Sequence, residues 1–401
     1  MSKNLDLATL QNAVSGSAAA FRCRRKLQPA GGAGDKVFPP TYAGAVYAVE
    51  QRRVPGRAEP VTCVLLDSVQ SQANRMEQAL QDALDAGTLK LPLIVVDFSK
   101  TNLPEPVGRL TSLQLPHRFA DAILRDSEHG GKRFRESDAA KGLNAATLLN
   151  ATPLYELCPT ALVFGAWDST GPKGGLGTKF ERAMVSEVVG VGASINESHK
   201  NRGIRRDPLE ARSSVPLIRN EDKTWTVSTD PKQKGTIRPS EVNHGSVPFD
   251  NDNAGVTIDY AEQTTTLSLI CFRRLRFPVA KPVPSQIAAN TAAQTVLAAL
   301  GLYAATAAYE SGLGLRSRCL LWPEGPMTWE LLAKPGEAPE VFSLTSAESL
   351  TLLKKAVSAA KAAGVTWREE ELVLTPNAEL VKLVVLSQEQ AKSVSGEAEA
   401  E

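Results

Sequence analysis

Val61–Val96 reads VTCVLLDSVQSQANRMEQALQDALDAGTLKLPLIVV, and its hydrophobic pattern changes twice. Val61–Leu66 is a short apolar run that ends at Asp67-Ser68. From Gln70 to Ala86 the apolar residues Ala73, Met76, Leu80 and Leu84 share one helical face, with Gln, Asn and Arg between them. Asp67 or Ser68 suits the start of that helix and Gly87 its end. Leu93–Val96 is a second buried apolar run. The spacing predicts a β-α-β unit.

Working outward, Val46–Glu50 predicts another strand, followed by a basic turn at Arg52–Arg57. His117–Arg125 predicts a helix after Pro116. Ala161–Phe164 predicts an apolar strand, and Phe180–Ala193 a strand pair or one strand with a glycine break. Ile287–Tyr309 predicts a buried alanine-rich helix. It holds Asn290, Gln294 and Gly301, and lacks the strongly apolar block of a membrane span. Thr345-x-x-Glu348 is a capping box opening a helix through Ala363, which Gly364 ends. Val381–Leu386 predicts a last strand. Strands and helices mix without regular alternation, so the expected class is α+β.

Charge is distributed unevenly. The 401 residues sum to a formal net charge of +1, which by itself indicates no nucleic-acid partner. Yet the first sixty residues are basic, with Arg22, Arg24, Arg25 and Lys26 in one cluster, and Lys173–Arg238 is basic as well. Local charge governs attraction to an anion, so the patches count for more than the sum. Asn196–Phe249 is a long, polar, proline-punctuated insertion, with Trp225–Val227 as a candidate hairpin strand. Ser387–Glu401 is acidic and polar, and a disordered tail is expected there. The expected division is one domain over residues 1–386, with residues 196–249 inserted in it and residues 387–401 as the tail.

Thr160–Gly190, TALVFGAWDSTGPKGGLGTKFERAMVSEVVG, is the candidate anion site. A loop that gives up side chains for glycine lets its backbone come close to a ligand. Free N–H groups beside Lys173 and Lys179 would suit phosphate. The nucleotide motifs fail. A P-loop needs four residues between its glycines and then Gly-Lys-Ser/Thr; Gly171 to Gly177 is one residue too long, and Thr178-Lys179 is reversed. Gly175-Leu176-Gly177 lacks the third glycine of a dinucleotide fingerprint. The composition also fits a strand-connecting loop that is glycine-rich for turn geometry alone.

Metal and nucleophile chemistry finds little support. The four histidines show no zinc-ligand spacing, and no G-x-S-x-G elbow occurs. The five cysteines are scattered without a C-x-x-C, which fits a reducing, cytoplasmic setting. Arg22–Lys26 runs as a basic strand into Gly31-Gly32, with Arg22, Arg24 and Lys26 on one face by alternation. Arg273, Arg274 and Arg276 form a further basic cluster. Asp67–Arg75 marks a strand-to-helix junction, where Ser71, Gln72, Asn74 and Arg75 could reach a partner or simply cap and solvate the helix. Together these features suit a polyanion track held through its backbone. Aromatic content is low, which argues against base stacking as the main source of affinity.

LQPAGGAGDKVFPPTY (Leu27–Tyr42), LLDSVQSQANRMEQAL (Leu65–Leu80), Ala151–Gly190 and SEVNHG (Ser240–Gly245) resemble the backbone RAMP subunit of type I-G (formerly I-U) CRISPR effector complexes. The resemblance covers Phe21 to Pro278 and is looser beyond. It implies a modified RRM-like, ferredoxin-type core with a protruding thumb, for which residues 196–249 are the candidate, and additional helices. It implies copies stacked head to tail along CRISPR RNA, with a target DNA strand pairing to the guide and other effector subunits attached. No cofactor, no membrane and no catalytic role are implied. The aromatic RNA-binding signature of RRM domains is absent.

Under this reading the RNA contacts come from four places. Arg22, Arg24, Arg25, Lys26, Gln28 and Lys36 supply the first, and Gln70, Ser71, Asn74 and Arg75 the second. Lys173, Gly174, Gly175, Gly177, Lys179 and Arg182 supply the third. His199, Lys200 and Arg202 in the insertion supply the fourth. The basic strand and the helix start would line one groove with the glycine-rich loop. The alternative is a RAMP-type endoribonuclease that cuts guide-paired RNA with a loop aspartate, for which Asp35 is the candidate. A nucleotide-binding enzyme using Gly171–Lys179 is the other rival.

Overall fold

A computed structural model describes residues 3–43, 46–169, 177–195, 203–205, 208–209, 211–212, 214–220, 224–230, 233–245, 247–249, 255–280 and 283–398. It is an α+β structure in two compact units. The first comprises Met1–Lys100, Val107–Ser194 and Val256–Leu380. The second comprises Thr101–Pro106, Ile195–Gly255 and Val381–Glu401.

Among the described residues the first unit holds a ten-stranded sheet. Along its main path the order is Lys3–Asn4, Glu340–Ser343, Thr328–Leu332, Ala20–Pro29, Tyr260–Ser268, Met184–Val191, Val61–Asp67 and Val49–Arg52. The hairpin Leu313–Arg316/Cys319–Pro323 pairs with the far end of Ala20–Pro29. A second sheet runs Lys132–Arg133, Ser127–His129, Leu372–Pro376, Ile94–Asp97 and Arg109–Thr111.

The elements expected from Val61–Val96 all form, as Val61–Asp67, the helix Val69–Asp85 and Ile94–Asp97. Their pairing differs from a β-α-β unit. Val61–Asp67 lies antiparallel between Met184–Val191 and Val49–Arg52. Ile94–Asp97 is in the second sheet, parallel to Leu372–Pro376. The slot beside the first strand is filled by a chain-distant strand with a matching apolar face, which no local pattern specifies.

Two expected strands are helical. Thr160–Phe164 is a buried helical turn that begins after Pro159 and stops at Gly165. A continuous apolar run has no period that separates a buried strand from a buried helix. Val381–Leu386 lies inside the helix Ala378–Ala398, whose start is capped where Leu380 N–H donates to Asn377 Oδ1 at 2.8 Å. That helix continues through most of the segment expected as a tail. His117–Arg125 is a 3-10 turn, Arg118–Ala120, and a four-residue helix, Ala122–Arg125.

The alanine-rich helix extends over Val283–Glu310 and forms the core of the first unit. Ala293, Val296, Leu297, Ala298, Ala299, Leu300 and Leu302 are all fully buried. A Cβ on Gly301 would come within 2.9 Å of Leu267 Cδ1 and 3.3 Å of Met184 Cε, so glycine sets how closely this helix approaches the sheet. Ser285–Glu310 is long and apolar enough to cross a membrane, but 83% of its most apolar window is buried within the protein.

A buried polar cluster joins the helix Val69–Asp85 to the sheet. Asp67 accepts from Ser71 Oγ at 2.8 Å, Gln72 Nε2 at 2.6 Å and Arg75 Nε at 2.9 Å. Gln72 Oε1 accepts from Ser186 Oγ and Gln263 Nε2, each at 2.9 Å. A buried carboxylate is tolerated only with such partners.

In the second unit, Leu217–Arg219 pairs with Trp225–Val227 as the expected hairpin, and Gly203–Arg205 pairs with Val247–Phe249. The Trp225 and His244 rings meet edge to face at 5.4 Å.

The capping box forms as expected. Glu348 N–H donates to Thr345 Oγ1 at 3.2 Å, and Thr345 N–H to Glu348 Oε2 at 2.9 Å. The Thr345 backbone N–H, and then its hydroxyl, hold the Glu348 carboxyl below the usual glutamate value. A carboxyl lowered in the folded state stabilises the fold above its unfolded pKa, and the contribution is lost as pH falls through the folded value. Thr345→Ala should therefore cost about 1 kcal/mol in urea unfolding at neutral pH. In Glu348→Gln the difference from the parent chain should shrink as pH drops below about 4.

Candidate nucleic-acid interface

The helix Thr160–Phe164 ends at Gly165, which has φ +80°. A Cβ there would stand 3.1 Å from Arg182 N and 3.2 Å from its Cα, so only glycine lets the two segments cross. Ala166–Trp167 then pairs antiparallel with Lys179–Phe180, with Trp167 opposite Lys179. This short ladder is the stem of the glycine-rich loop. Residues 170–176 lie outside the described residues, and with them Lys173, Gly174 and Gly175. Gly177, at the inner edge of the stem, is half-buried.

Asp168 pins the stem from beneath. Its N–H donates to Thr178 O at 2.9 Å, and its carboxylate accepts from Arg135 Nη1 at 2.7 Å. Arg135 Nη1 also donates to Asn144 Oδ1 at 3.0 Å. The Asp168 and Arg135 side chains are 3% and 11% exposed, so each depends on the other for its charge partner.

A cleft of about 570 Å³ opens beside the stem, and Gln70, His117, Arg118, Trp167, Lys179 and Arg182 line it. Four separate parts of the chain contribute. Gln70 comes from the first turn of the helix Val69–Asp85, and His117 and Arg118 from the 3-10 turn region. Trp167 and Lys179 come from the stem, and Arg182 from the link to the strand Met184–Val191.

Arg118 forms the floor. Its Nε and Nη2 donate to the two Glu77 oxygens at 2.6 and 2.7 Å, and its Nη1 to Gly165 O at 3.1 Å. Its φ is +50°, a left-handed conformation that costs a non-glycine residue energy. Burial pushes the Glu77 carboxyl up, and Arg118 opposes that shift.

Arg182 Nε donates to Phe164 O at 3.0 Å. Its two terminal nitrogens have no protein partner among the described residues. Burial, and then Arg118, lower its pKa from the usual guanidinium value, with Glu77 opposing. Its unused donors therefore form a partly desolvated cationic fork. Trp167 is 54% exposed, and Lys179 Nζ lies 5.5 Å from its ring centroid. Among the described residues, Arg118, Lys179 and Arg182 line the cleft and no carboxylate does. The arrangement suits a phosphate at the fork and an unstacked base on the indole.

The structure thus brings Gln70, Lys179 and Arg182 together from the expected set. It does not bring in the basic strand, which was expected to line the same groove. Ala20–Pro29 lies inside the main sheet, where neighbouring strands supply partners for its side chains. Arg22 meets Glu330 at 2.7 Å and Arg24 meets Glu262 at 2.8 Å. Arg25 donates to Thr328 O at 2.9 Å, and Lys26 lies 4.5 Å from the Tyr260 ring centroid. Gln28 Nε2 donates to Glu324 Oε1 at 3.0 Å.

Ser71 and Arg75 turn inward to Asp67, and Arg75 also donates to Leu315 O at 2.7 Å. Asn74 and Lys36 are exposed. The Lys36 N–H donates to Asp35 Oδ1 at 2.8 Å, and Asp35 is itself exposed. His199, Lys200 and Arg202 lie outside the described residues. No group of three metal-ligating side chains is assembled among the described residues.

Sequence reasoning missed Trp167, His117 and Arg118. For Trp167 a signal was present: an indole standing between Gly165 and the glycine run has no apolar neighbours to hide among. Arg118 carried no such signal, because its role depends on Glu77, far away in sequence.

Residues 21–195 match the family described as CRISPR-associated protein GSU0053 (Cas_GSU0053). The match supports a RAMP-type CRISPR-associated protein. Every cleft residue named above falls within the matched span, which supports a role for this protein in CRISPR defence alongside other components of that system. No curated protein matches the chain.

Asp168→Ala should leave Arg135 buried without its counterion, at a cost of about 3–5 kcal/mol. Urea unfolding would read the loss. Asp168→Ala with Arg135→Met should recover much of it, because no unpaired charge then remains.

Proposed function

We propose that this chain is the guide-RNA backbone subunit of a type I-G CRISPR effector complex. The observation that carries the reading is the half-buried fork of Arg182, whose terminal nitrogens have no partner among the described residues, beside exposed Trp167 and Lys179 at the root of a glycine-rich loop. A partly desolvated guanidinium without a counterion favours a phosphate oxygen. An exposed indole favours an unpaired base, hence a single strand. The family match spans the whole cleft.

In this reading the core is a modified RRM-like domain, and residues 196–249 act as a thumb against the RNA. Copies polymerise head to tail along the guide in the cytoplasm, and each neighbour adds a protein–protein contact that makes loading cooperative. Base pairing between guide and target DNA supplies sequence specificity, while the protein supplies charge and shape. The chain holds RNA and cuts nothing itself. Asp35 carries no catalytic role.

The test is expression with a matching CRISPR array, followed by sizing and sequencing of the bound RNA. A large particle carrying guide-length RNA is expected. With purified protein, Trp167→Ala should weaken RNA binding by about 1–3 kcal/mol. Lys179→Ala should reduce the slope of log affinity against log salt by about 0.7. Both residues are exposed, so folding should survive. Asp35→Ala should leave RNA binding and RNA integrity unchanged. A nucleic-acid-free monomer that ignores added guide RNA at low salt would rule the proposal out.

A further inference from the structure

The three arginines that follow the strand Tyr260–Ser268 cluster in sequence and diverge in the structure. Arg273 Nη1 donates to Ala13 O and Val14 O, each at 3.4 Å, and Arg276 Nη1 donates to Arg273 O and Leu275 O at 2.5 and 3.1 Å. Both serve backbone carbonyls. Arg274 instead reaches a carboxylate. Its Nη1 meets Glu181 Oε2 at 2.8 Å, and Cys271 Sγ lies 3.7 Å from the same oxygen.

Glu181 belongs to the segment that builds the cleft. It follows Lys179 and Phe180 and precedes Arg182, all three of which line that cleft. Phe180 is buried, whereas Lys179 and Glu181 on either side of it are exposed. In an extended segment residues two apart share a face. Glu181 is therefore the carboxylate closest in sequence to the Lys179 ammonium, yet no ion pair joins them. Lys179 Nζ stands 5.5 Å from the Trp167 ring centroid, and Glu181 turns to Arg274.

The fold sets the position of Arg274. Ser268 N–H donates to Ala183 O at 2.9 Å, next to Arg182 in the chain. Ser268 Oγ accepts from Cys271 N–H at 3.3 Å and caps the short helix Leu269–Arg273, whose Leu269 and Phe272 are buried. Arg274 follows directly, alongside Glu181. A planar guanidinium suits a carboxylate better than a flexible ammonium does, so Arg274 holds Glu181 against competition from Lys179. The Arg274 and Glu181 side chains are 52% and 65% exposed, so the pair adds little to stability.

We propose that Arg274 is a positioning residue for the cleft. By holding Glu181 it keeps that carboxylate off Lys179 and leaves the ammonium open to a phosphate of a single strand. Arg274 itself touches no ligand. This role rests on the RNA reading of the cleft.

The test uses the full chain and a single-stranded oligouridine, with affinity measured over a range of salt. Arg274→Ala releases Glu181 to Lys179. Affinity should fall by about threefold, and the slope of log affinity against log salt by about 0.7, as if Lys179 itself were lost. Adding Glu181→Gln to that variant should restore both, although no arginine has been returned. Glu181→Gln alone should bind at least as tightly as the parent chain. A second readout needs no RNA: the rate at which an acetylating reagent modifies Lys179, read by mass spectrometry. Pairing holds an amine in its unreactive ammonium form. Labelling of Lys179 should therefore slow in Arg274→Ala and recover in the double variant. Both substituted side chains are exposed, so the variants should fold. Equal salt slopes and equal Lys179 labelling in all four chains would overturn the proposal. So would a loss of binding in Arg274→Ala that Glu181→Gln does not relieve, which would make Arg274 a direct RNA contact. A parent chain that ignores oligouridine would sink the RNA reading instead, and the labelling rates would still decide whether Arg274 governs Lys179.

Discussion

Glu77 sits 2% exposed in the middle of the helix Val69–Asp85, and it can do so because Arg118 meets it with two hydrogen bonds. That ion pair fixes the candidate site. To reach Glu77, Arg118 adopts a left-handed backbone and passes beneath Gly165, whose carbonyl takes a further hydrogen bond. Gly165 in turn lets Arg182 cross within contact distance. Because Glu77 is committed to Arg118, the Arg182 terminal donors have no partner among the described residues. A buried pair of this kind adds little net stability compared with an apolar pair, yet losing one partner is costly. Its contribution here is geometric: it aims one cation inward and leaves the next one open.

The same helix meets a second buried carboxylate at its N-terminal end. Asp67 takes up Ser71, Gln72 and Arg75, three residues whose spacing suits an outward-facing anion site. Burial decides between the two roles. Asp67 is 1% exposed and must be satisfied before any outside ligand is served. Gln70, one position earlier and exposed, is left to the cleft.

The basic strand follows the same logic. Arg22, Arg24 and Lys26 do alternate onto one face, as the strand period requires. Each then finds a partner on an adjacent strand: Glu330, Glu262 and Tyr260. Cross-strand pairing gives Arg22 and Arg24 carboxylate partners and places Lys26 on an aromatic ring, so much of the basic cluster in sequence is already engaged in space. Net charge over a sequence window therefore does not show which cations keep their charge uncompensated; among the described residues Lys179 has no carboxylate partner, whereas Arg22 and Arg24 do.

Local pattern alone determined the helix Val69–Asp85, the capping box at Thr345–Glu348, the buried alanine-rich helix and the strand at Arg22–Lys26. These follow from side-chain period, caps and turn residues, all of which act over a few positions. Only the tertiary structure decided that Ile94–Asp97 joins the second sheet, that Thr160–Phe164 and Val381–Leu386 are helical, and that Arg118, Trp167 and Arg182 share a cleft with Gln70. Strand partners and counterions are chosen by contacts between residues far apart in the chain. A charged side chain does not reveal in sequence whether its partner is a distant carboxylate or an incoming phosphate.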